Sequence, residues 1–518
     1  MALTSLDITV FAAYCILLMG IAWWVSREKA GHQRDSSDYF LAGNTLPWWA
    51  IGTSLIASNI SAEQIIGMSG SGYAIGLAIA SYEWMGAITL IIIGKYFLPT
   101  FLDKKIYTMP QFLAQRFDQR VQLVMAFFWL AVYTFVNLTA VLYLGALAIK
   151  TIAGIDMLYG MLFLALFSVA YSLYGGLKAV AFTDILQVAL LVFGGLLVTY
   201  LALDTIAEGN GVITGFGMLL DRVPQSFDMI LSPEHEDYVS LPGISVLVGG
   251  LWVMNLSYWG FNQYITQRTL AAKSLREAQK GITLAAFLKL LMPVLVVLPG
   301  IAALVLAPNL ERPDQAYPEM MKLVPAGLLG LTFAALVAAI ASSLGSMANS
   351  ISTIFTMDIY RQLVRQPPSE KHLVTIGRIA ALVAMVIAMI IAQPLLGQME
   401  QAFQYIQEFT GFFTPGVVAI FLLGFFYKKA NATSALVAGI SSVVLSALAR
   451  IYWPELPFMD RVGLVFVACL VLGMLFAGKE HCEKAIHAEQ VDYSTSSGFN
   501  ISAVCISLIL VALYWAWW

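Results

Sequence analysis

The chain has 518 residues, of which 59% are hydrophobic and only 11% are charged. Soluble domains carry about 25% charged residues, so this composition excludes an ordinary soluble protein. The net charge of -3 gives no reason to expect a nucleic-acid partner. Apolar runs of about 20 residues, long enough to cross a lipid bilayer as helices, recur along the whole chain. We therefore predict an all-α polytopic membrane protein, because a β-barrel would show short alternating segments instead.

The apolar runs predict about 14 transmembrane helices. In chain order they cover residues 7–25, 46–71, 76–100, 119–150, 154–174, 178–204, 240–267, 278–307, 325–359, 371–394, 401–425, 431–452, 461–478 and 500–518. Threading these spans from an external N-terminus leaves few of the 28 Lys and Arg residues outside: Lys150, Arg222, Arg312, Lys322, Arg450 and Arg461. Cytoplasmic loops collect basic residues, so this orientation is favoured and places both termini outside.

Two of the predicted spans carry polar interruptions at a similar depth. The second contains "SNIS" and the seventh contains "MNLSYWGFNQ". Five spans separate one from the other, so the two segments cross the membrane in opposite senses. Paired broken helices of this kind are typical of transporters with inverted repeats and mark their binding site. Chance polarity in two helices is the alternative interpretation.

Charged and amide side chains occur within several spans, although a charge at the bilayer centre costs at least ~2.5–3.5 kcal/mol. In chain order they are Glu63, Gln64, Glu83, Asp184, Asn255, Gln263, Lys289, Gln404, Gln407 and Glu408. Amides, carboxylates and an ammonium group together suit a neutral polyol, whose hydroxyls both donate and accept hydrogen bonds. Nearby aromatic rings offer faces on which a sugar ring can stack. The alternative is hydrogen bonding between helices, and Glu63 is left without a firm role.

The ninth span contains "VAAIASSLGSMANS", in which Ala339, Ser342 and Ser343 stand at i, i+3 and i+4 and so share one helix face. Their hydroxyl and carbonyl oxygens are hard, uncharged ligands. Together with carbonyls freed at the break in the second span, they favour a monovalent cation such as sodium. Close packing of small residues between helices is the alternative.

Several long motifs resemble the sodium/solute symporter family, and the resemblance extends along nearly all of the chain. They are "DYFLAG", "SLIASNISAEQ", "GMSGSGY", "ASYEW", "YSLYGGLKAV", "WGFNQYITQRTLAAKS", "IASSLGSMANS" and "FTMDIY". The resemblance implies a leucine-transporter-like core of two inverted five-helix repeats, at residues 46–204 and 240–425. A first helix and cytoplasmic loop (1–45), an external loop (205–239) and three additional helices (426–518) complete the chain.

The resemblance also implies the site residues. The sugar would be held by Gln64, Glu83, Asn255, Lys289 and Gln407, with Tyr258 as the inner gate, Trp259 lining the pocket, and Met68, Tyr82 and Phe403 closing the outer side. The sodium ligands would be the carbonyls of Ala57, Ile60 and Ala339 and the hydroxyls of Ser342 and Ser343, with Asp184 on the ion's exit route. Gly86 and Ser257 depart from the family's galactose-transporting members, which leaves galactose and glucose both open.

These observations predict sodium-coupled symport of a neutral hexose across the plasma membrane, in a bacterium the inner membrane. The implied partners are the sugar, the sodium ion and the bilayer, with no organic cofactor and no signal for oligomeric state. Another neutral solute, such as inositol or an amino acid, is one alternative, and a sugar sensor without transport is another. An enzyme is not expected, because no catalytic Ser/His pair or metal-ligand cluster lies within the spans.

Overall fold

The computed structural model describes residues 3–25, 41–364, 368–397, 402–479, 482, 484 and 491–518. The predicted cytoplasmic loop after the first helix falls largely on residues 26–40, outside this range. In the first half of the chain the helices are α1 (Ser5–Val25), α2 (Trp48–Asn59), α3 (Met68–Ala74), α4 (Ser81–Tyr96), α5 (Leu98–Asp103), α6 (Met109–Arg116), α7 (Gln119–Val132), α8 (Thr139–Ala153), α9 (Met157–Ile206) and α10 (Val212–Arg222).

The second half is also helical, and β-structure in the described part of the chain amounts to an isolated bridge between Leu46 and Ala272. Its helices are α11 (Ile244–Val248), α12 (Gly250–Leu256), α13 (Gln263–Leu270), α14 (Leu275–Leu306), α15 (Ala316–Met321), α16 (Leu328–Ile354), α17 (Glu370–Leu396), α18 (Ala402–Thr410), α19 (Thr414–Phe426), α20 (Ala432–Tyr452), α21 (Phe458–Leu475) and α22 (Ser497–Ala516).

Ten helices in the described ranges are long and apolar enough to cross a membrane, and the bent pair α18–α19, which turns by 44°, would make eleven. Met157–Ala170 is a shorter apolar helix. The prediction of a multi-pass helical membrane protein is confirmed. The second and seventh predicted spans do not count among the ten because each is divided into helices of 12 residues or fewer.

Helix α9 has 50 residues and would measure about 75 Å if it were straight, far more than the ~30 Å core of a bilayer. Its packing shows that it doubles back. Phe167 and Val180 both pack in one small cluster with Ala22 and Ala341, although 13 residues of straight helix would separate them by about 20 Å. The two arms of α9 therefore lie side by side.

Both polar interruptions seen in the sequence are breaks in a helix. Helix α2 ends where Ile60 adopts φ -71° and ψ 81°. The Ser61 N–H, which a regular helix would direct to the Ala57 carbonyl, donates instead to the Asn59 carbonyl at 2.8 Å. A π-helical turn, Glu63–Gly67, then leads into α3. The second break follows a similar π-turn, Ser257–Phe261, where Asn262 is extended before α13 begins.

Helix α3, the second half of the first broken helix, lies directly against the backbone of α14. A Cβ built on Gly300 would stand 2.1 Å from the Ser69 carbonyl oxygen, and one built on Gly72 would stand 2.8 Å from the Val297 carbonyl oxygen. Contacts this close are open only to glycine. The position of α3 is therefore set by backbone-to-backbone packing on α14.

We predict that Gly300→Ala lowers the thermal stability of the purified protein, because the added methyl group must displace α3 or α14 at a cost of ~1–3 kcal/mol. Gly20→Ala is the matched control, since a Cβ at Gly20 meets nothing within 4 Å. Gly20→Ala should leave the melting temperature unchanged or slightly raised. Equal melting temperatures for the two variants would contradict this account of the α3–α14 contact.

Candidate transport site

A buried ion pair lies at the centre of the site. Lys289 of α14 and Glu83 of α4 form a salt bridge although both side chains are almost fully buried. The ammonium group also donates to Asn59 Oδ1 at 2.5 Å. A charge pair away from water is tolerated only where further hydrogen bonds satisfy it. Asn59, the last residue of α2 before the break, supplies such a bond.

Asn59 also connects the ion pair to the predicted inner gate. Its Nδ2 donates to the Tyr258 hydroxyl at 3.0 Å, and the Tyr264 hydroxyl donates to the same oxygen at 2.7 Å. The gate tyrosine is therefore held from both broken helices. Sequence reasoning noted Asn59 as polar but gave it no role, and it missed Tyr264 altogether. The signal for Asn59 was its place at the break itself.

Gly86 marks the point where three predicted sugar-site residues converge. A Cβ built on Gly86 would lie 3.0 Å from Trp259 Nε1, 3.2 Å from Asn255 Oδ1 and 3.5 Å from Lys289 Cε. The Lys289 ammonium also lies 4.9 Å from the centre of the Trp259 ring, a cation–π contact. The absence of a side chain at Gly86 thus shapes the wall formed by these three residues.

The predicted outer residues also come together. The rings of Tyr82 and Phe403 meet edge to face with centroids 5.3 Å apart. A Cβ built on Gly67 would lie 3.1 Å from the Phe403 Cβ, next to Met68, which is fully buried. Nearby, Gln407 Nε2 donates to Glu63 Oε1 at 3.3 Å. Glu63, which had no firm role from the sequence, therefore lies inside the site and connects α18 to the first broken helix.

Three polar atoms in this cluster are buried and have no hydrogen-bond partner in the described structure: Gln64 Oε1, Asn255 Nδ2 and the Tyr82 hydroxyl. Leaving a buried donor or acceptor unsatisfied costs ~1–3 kcal/mol per group, and such groups are uncommon in native proteins. All three belong to residues predicted to contact or enclose the sugar. Their chemistry fits a ligand that both donates and accepts hydrogen bonds.

The loop between α14 and α15 makes hydrogen bonds to three neighbouring segments. Arg312 donates to the Tyr143 hydroxyl at 2.5 Å and to the Gly397 carbonyl. Asp314 Oδ2 accepts from the Ala402 N–H at 3.2 Å. Burial raises the pKa of Asp314 to about 7. These contacts join α8, the end of α17 and the start of α18.

The predicted sodium ligands lie where α16 meets the break in α2. Ser343 donates to the Ser58 carbonyl at 3.5 Å, so the small-residue face of α16 touches the interrupted helix. Ala57, Ile60 and Ala339 are fully buried at the same junction. The Ala57 carbonyl is not needed by the Ser61 N–H, which points to Asn59. Carbonyl and hydroxyl oxygens of this kind fit a monovalent cation.

Asp184 directly contacts Ser342, one of the predicted sodium ligands, whereas the prediction placed it only on the exit route of the ion. Its two carboxylate oxygens accept hydrogen bonds from the hydroxyls of Ser54 and Ser342, each at 2.5 Å. Arg268 lies next to them, because its Nε donates to the Ser54 hydroxyl at 3.2 Å. Sequence reasoning missed Arg268 and Ser54. A basic residue directly after the seventh predicted span was the available signal for Arg268.

The contacts described above form two adjoining groups on either side of Asn59. One lies around Glu83, Asn255, Trp259 and Lys289, and the other lies where Ser342 and Ser343 of α16 meet Asp184 and the Ser58 carbonyl. Buried polar groups at broken helices, in the middle of a multi-pass helical bundle, define a membrane transporter. Residues 39–441 match the family model described as "Sodium:solute symporter family". The chain belongs to the sodium:solute symporter family.

Similar proteins agree with this assignment. The chain is 50% identical to the sodium/glucose cotransporter of Vibrio parahaemolyticus, with 100% of this chain and 99% of the relative covered. It is 35% identical to the sodium/myo-inositol cotransporter of Canis lupus familiaris, covering 86% of this chain and 67% of the relative. The solved structure of a Na+-coupled sialic acid symporter superposes with a TM-score of 0.80 at 23% identity, over 92% of this chain and 100% of the other, which shows a shared fold.

We predict that Lys289→Met destabilises the protein by ~3–5 kcal/mol, because it leaves the Glu83 carboxylate buried without its cation. The double variant Glu83→Gln/Lys289→Met should recover most of that loss, since neither charge remains. Thermal unfolding in detergent measures both. Lys322→Met is the control: it breaks the partly exposed pair with Glu319 and should cost no more than ~1 kcal/mol. Equal losses of stability for Lys289→Met and Lys322→Met would refute the assignment of Lys289 and Glu83 as a buried ion pair.

Proposed function

We propose that the protein carries out sodium-coupled symport of a neutral hexose, galactose and/or glucose, into the cell. The three buried, unpartnered polar atoms of Gln64, Tyr82 and Asn255 are the observation that carries this proposal. They offer an acceptor, a donor and a hydroxyl beside the Trp259 ring, which suits a sugar with hydroxyls on its edge and an apolar C–H face. The 50% identity to a sodium/glucose cotransporter supports the choice of hexose.

The architecture proposed with this function has fourteen spans around a leucine-transporter-like core. Residues 46–204 and 240–425 would form the two inverted repeats, with 1–45 before them, the external loop 205–239 between them and three additional helices in 426–518. The two breaks, at Ile60 and Asn262, support the pairing because both follow the same pattern of helix, interruption and short helix. We place the protein in the plasma membrane, in a bacterium the inner one, with both termini outside, in agreement with the distribution of basic residues.

Sodium would bind between the break in α2 and the face of α16. The carbonyls of Ala57, Ile60 and Ala339 and the hydroxyls of Ser342 and Ser343 would hold it. Both hydroxyls already donate their protons, one to Asp184 and one to the Ser58 carbonyl, so their lone pairs remain for a cation. A hydroxyl that donates to a carboxylate is polarised and becomes a better ligand.

Coupling follows from the shared broken helix. Sodium bound at Ala57 and Ile60 would fix the geometry of the break and so orient Asn59 and Gln64 for the sugar. Because coupling between two ligands is reciprocal, the sugar must raise the affinity for sodium by the same factor. One sodium ion moving down 100 mV supplies ~2.3 kcal/mol. Asp184, already hydrogen-bonded to Ser342, would receive the ion as it leaves toward the cytoplasm.

The two gates would open in turn. On the inner side Tyr258 is held by Asn59 and Tyr264. On the outer side Tyr82 and Phe403 meet edge to face. Release of one of these contacts at a time would connect the residues that hold the sugar to one side of the membrane at a time. This alternation is the alternating-access mechanism.

A related polyol is the second candidate substrate. The relative at 35% identity is named a sodium/myo-inositol cotransporter, and inositol presents the same ring of hydroxyls to the same amide and carboxylate groups.

We predict that the purified protein in proteoliposomes accumulates labelled galactose or glucose only when sodium is present outside. Unlabelled hexoses, inositol and a neutral amino acid, each added in excess, rank the substrates by competition. Accumulation that persists without sodium would contradict symport. Binding of a hexose without net flux would instead identify a sensor, and competition by inositol alone would make the polyol the substrate.

Ser343→Ala should raise the sodium concentration that gives half-maximal uptake by roughly tenfold, equivalent to ~1.4 kcal/mol, because it removes one oxygen ligand and leaves the helix otherwise intact. Ser507→Ala in α22 is the control, since that hydroxyl donates only to the Ala503 carbonyl one turn back. An unchanged sodium dependence in Ser343→Ala would count against this site.

A further inference from the structure

The cytoplasmic side of the gate holds a hydrogen-bonded connection that the transport site does not use. The Gln263 side chain is fully buried at the start of α13. Its Oε1 accepts from the Met109 N–H at 2.8 Å, and its Nε2 donates to the Tyr107 carbonyl at 3.0 Å. One amide therefore grips the backbone on both sides of Thr108, as a neighbouring strand would. We call this pair of bonds the Gln263 clamp.

The same short segment is held from the other side by Asp358. The Thr108 hydroxyl donates to Asp358 Oδ1 at 3.0 Å, and Gln122 Nε2 donates to the same oxygen at 2.8 Å. Asp358 is fully buried and lies in the π-turn Phe355–Tyr360 that continues α16. Helix α16 carries Ser342 and Ser343 of the proposed sodium site.

Gln263 is equally close to the gate. Its backbone N–H donates to the Tyr133 hydroxyl at 2.9 Å, and that hydroxyl donates to Asn262 Oδ1 at 2.5 Å. The next residue, Tyr264, donates to the hydroxyl of the gate, Tyr258. Hydrogen bonds joined by two steps along the chain, Thr108–Met109 and Gln263–Tyr264, thus connect Asp358 below α16 to Tyr258.

We propose that Gln263, Thr108 and Asp358 are positioning residues that lock the cytoplasmic side closed by joining α13, whose Tyr264 holds the gate, to the sodium-bearing helix α16. The inference rests on the proposed function. Opening toward the cytoplasm requires α13 to move away from α16, so the Gln263 clamp must break at that step. The sodium site needs α2 and α16 together, and α13 and α2 share Tyr258 through Asn59. Sodium binding and the clamp therefore favour the same closed state.

A weaker clamp increases the population of the inward-open state. The apparent affinity for sodium then falls in proportion to the remaining closed fraction. The ligands of the ion are untouched, so maximal stabilisation at saturating sodium is retained. This split between affinity and saturating effect distinguishes a positioning role from simple loss of structure.

The experiment measures the sodium concentration that gives half-maximal thermal stabilisation of the purified full-length protein, without sugar. Gln263→Ala should raise that concentration about five- to tenfold. Gln263→Glu should have a smaller effect, because it keeps the acceptor for the Met109 N–H. Gln115→Ala is the matched control, since Gln115 donates from an exposed position on α6 to the Lys104 carbonyl at 3.4 Å, and it should match the wild type.

A second pair of variants decides the question if Gln263→Ala does not fold. Thr108→Val removes the hydroxyl that reaches Asp358 and should raise the sodium requirement, whereas Thr108→Ser keeps the hydroxyl and should restore it. Equal sodium requirements for the wild type and the folded clamp variants would overturn the proposal. The test needs no sugar, so failure of sugar uptake in the wild type would count against the proposed function and not against the clamp.

Discussion

The bilayer imposes one constraint on which the rest of this structure depends: every backbone polar group within it must be satisfied inside the protein. A helix can be broken there only where protein surrounds the break. Residues Ser54 to Gly72 are buried without exception. Within them the Ser61 N–H turns to Asn59 and the Glu63 N–H turns to the Ser61 hydroxyl. The break thus satisfies its own donors locally and leaves carbonyl oxygens for an ion.

Placing charges beside the break follows from the same constraint. Lys289 is the cation beside the break, and its ammonium group donates hydrogen bonds to Glu83 and Asn59. Asn59 can serve because the helix ends at it and its side chain is directed to α14 and not along α2. The ion pair and Tyr258 therefore both depend on the geometry of one interrupted helix, α2. A change in that geometry would alter both contacts.

The breaks were predictable from the sequence because their signals are local. Polar residues inside an apolar run, and Ala339, Ser342 and Ser343 at i, i+3 and i+4, can be read without partners. The full set of site residues came from the resemblance to the family and remains a prediction. The roles of Asn59, Arg268 and Gln263 were not predictable, because each depends on a contact many residues away, as Lys289 does with a side chain 230 positions earlier. The two arms of α9 correspond to the separate spans predicted at 154–174 and 178–204, whereas their joining in one helical element, Met157–Ile206, was not predicted.

Glu63 shows how α18 and the first broken helix constrain each other. Its side chain is buried and accepts a hydrogen bond from the amide of Gln407. Gln407 lies on the short helix α18, which is bent by 44° from α19. A buried carboxylate has little water around it and is therefore stabilised by any hydrogen-bond donor that comes within reach. The same short helix carries Phe403, whose ring meets Tyr82 edge to face and whose Cβ lies 3.1 Å from the position of a Cβ on Gly67. One short helix therefore makes both the contact to Glu63 and the aromatic contact beside it, so a shift of α18 would change the two together.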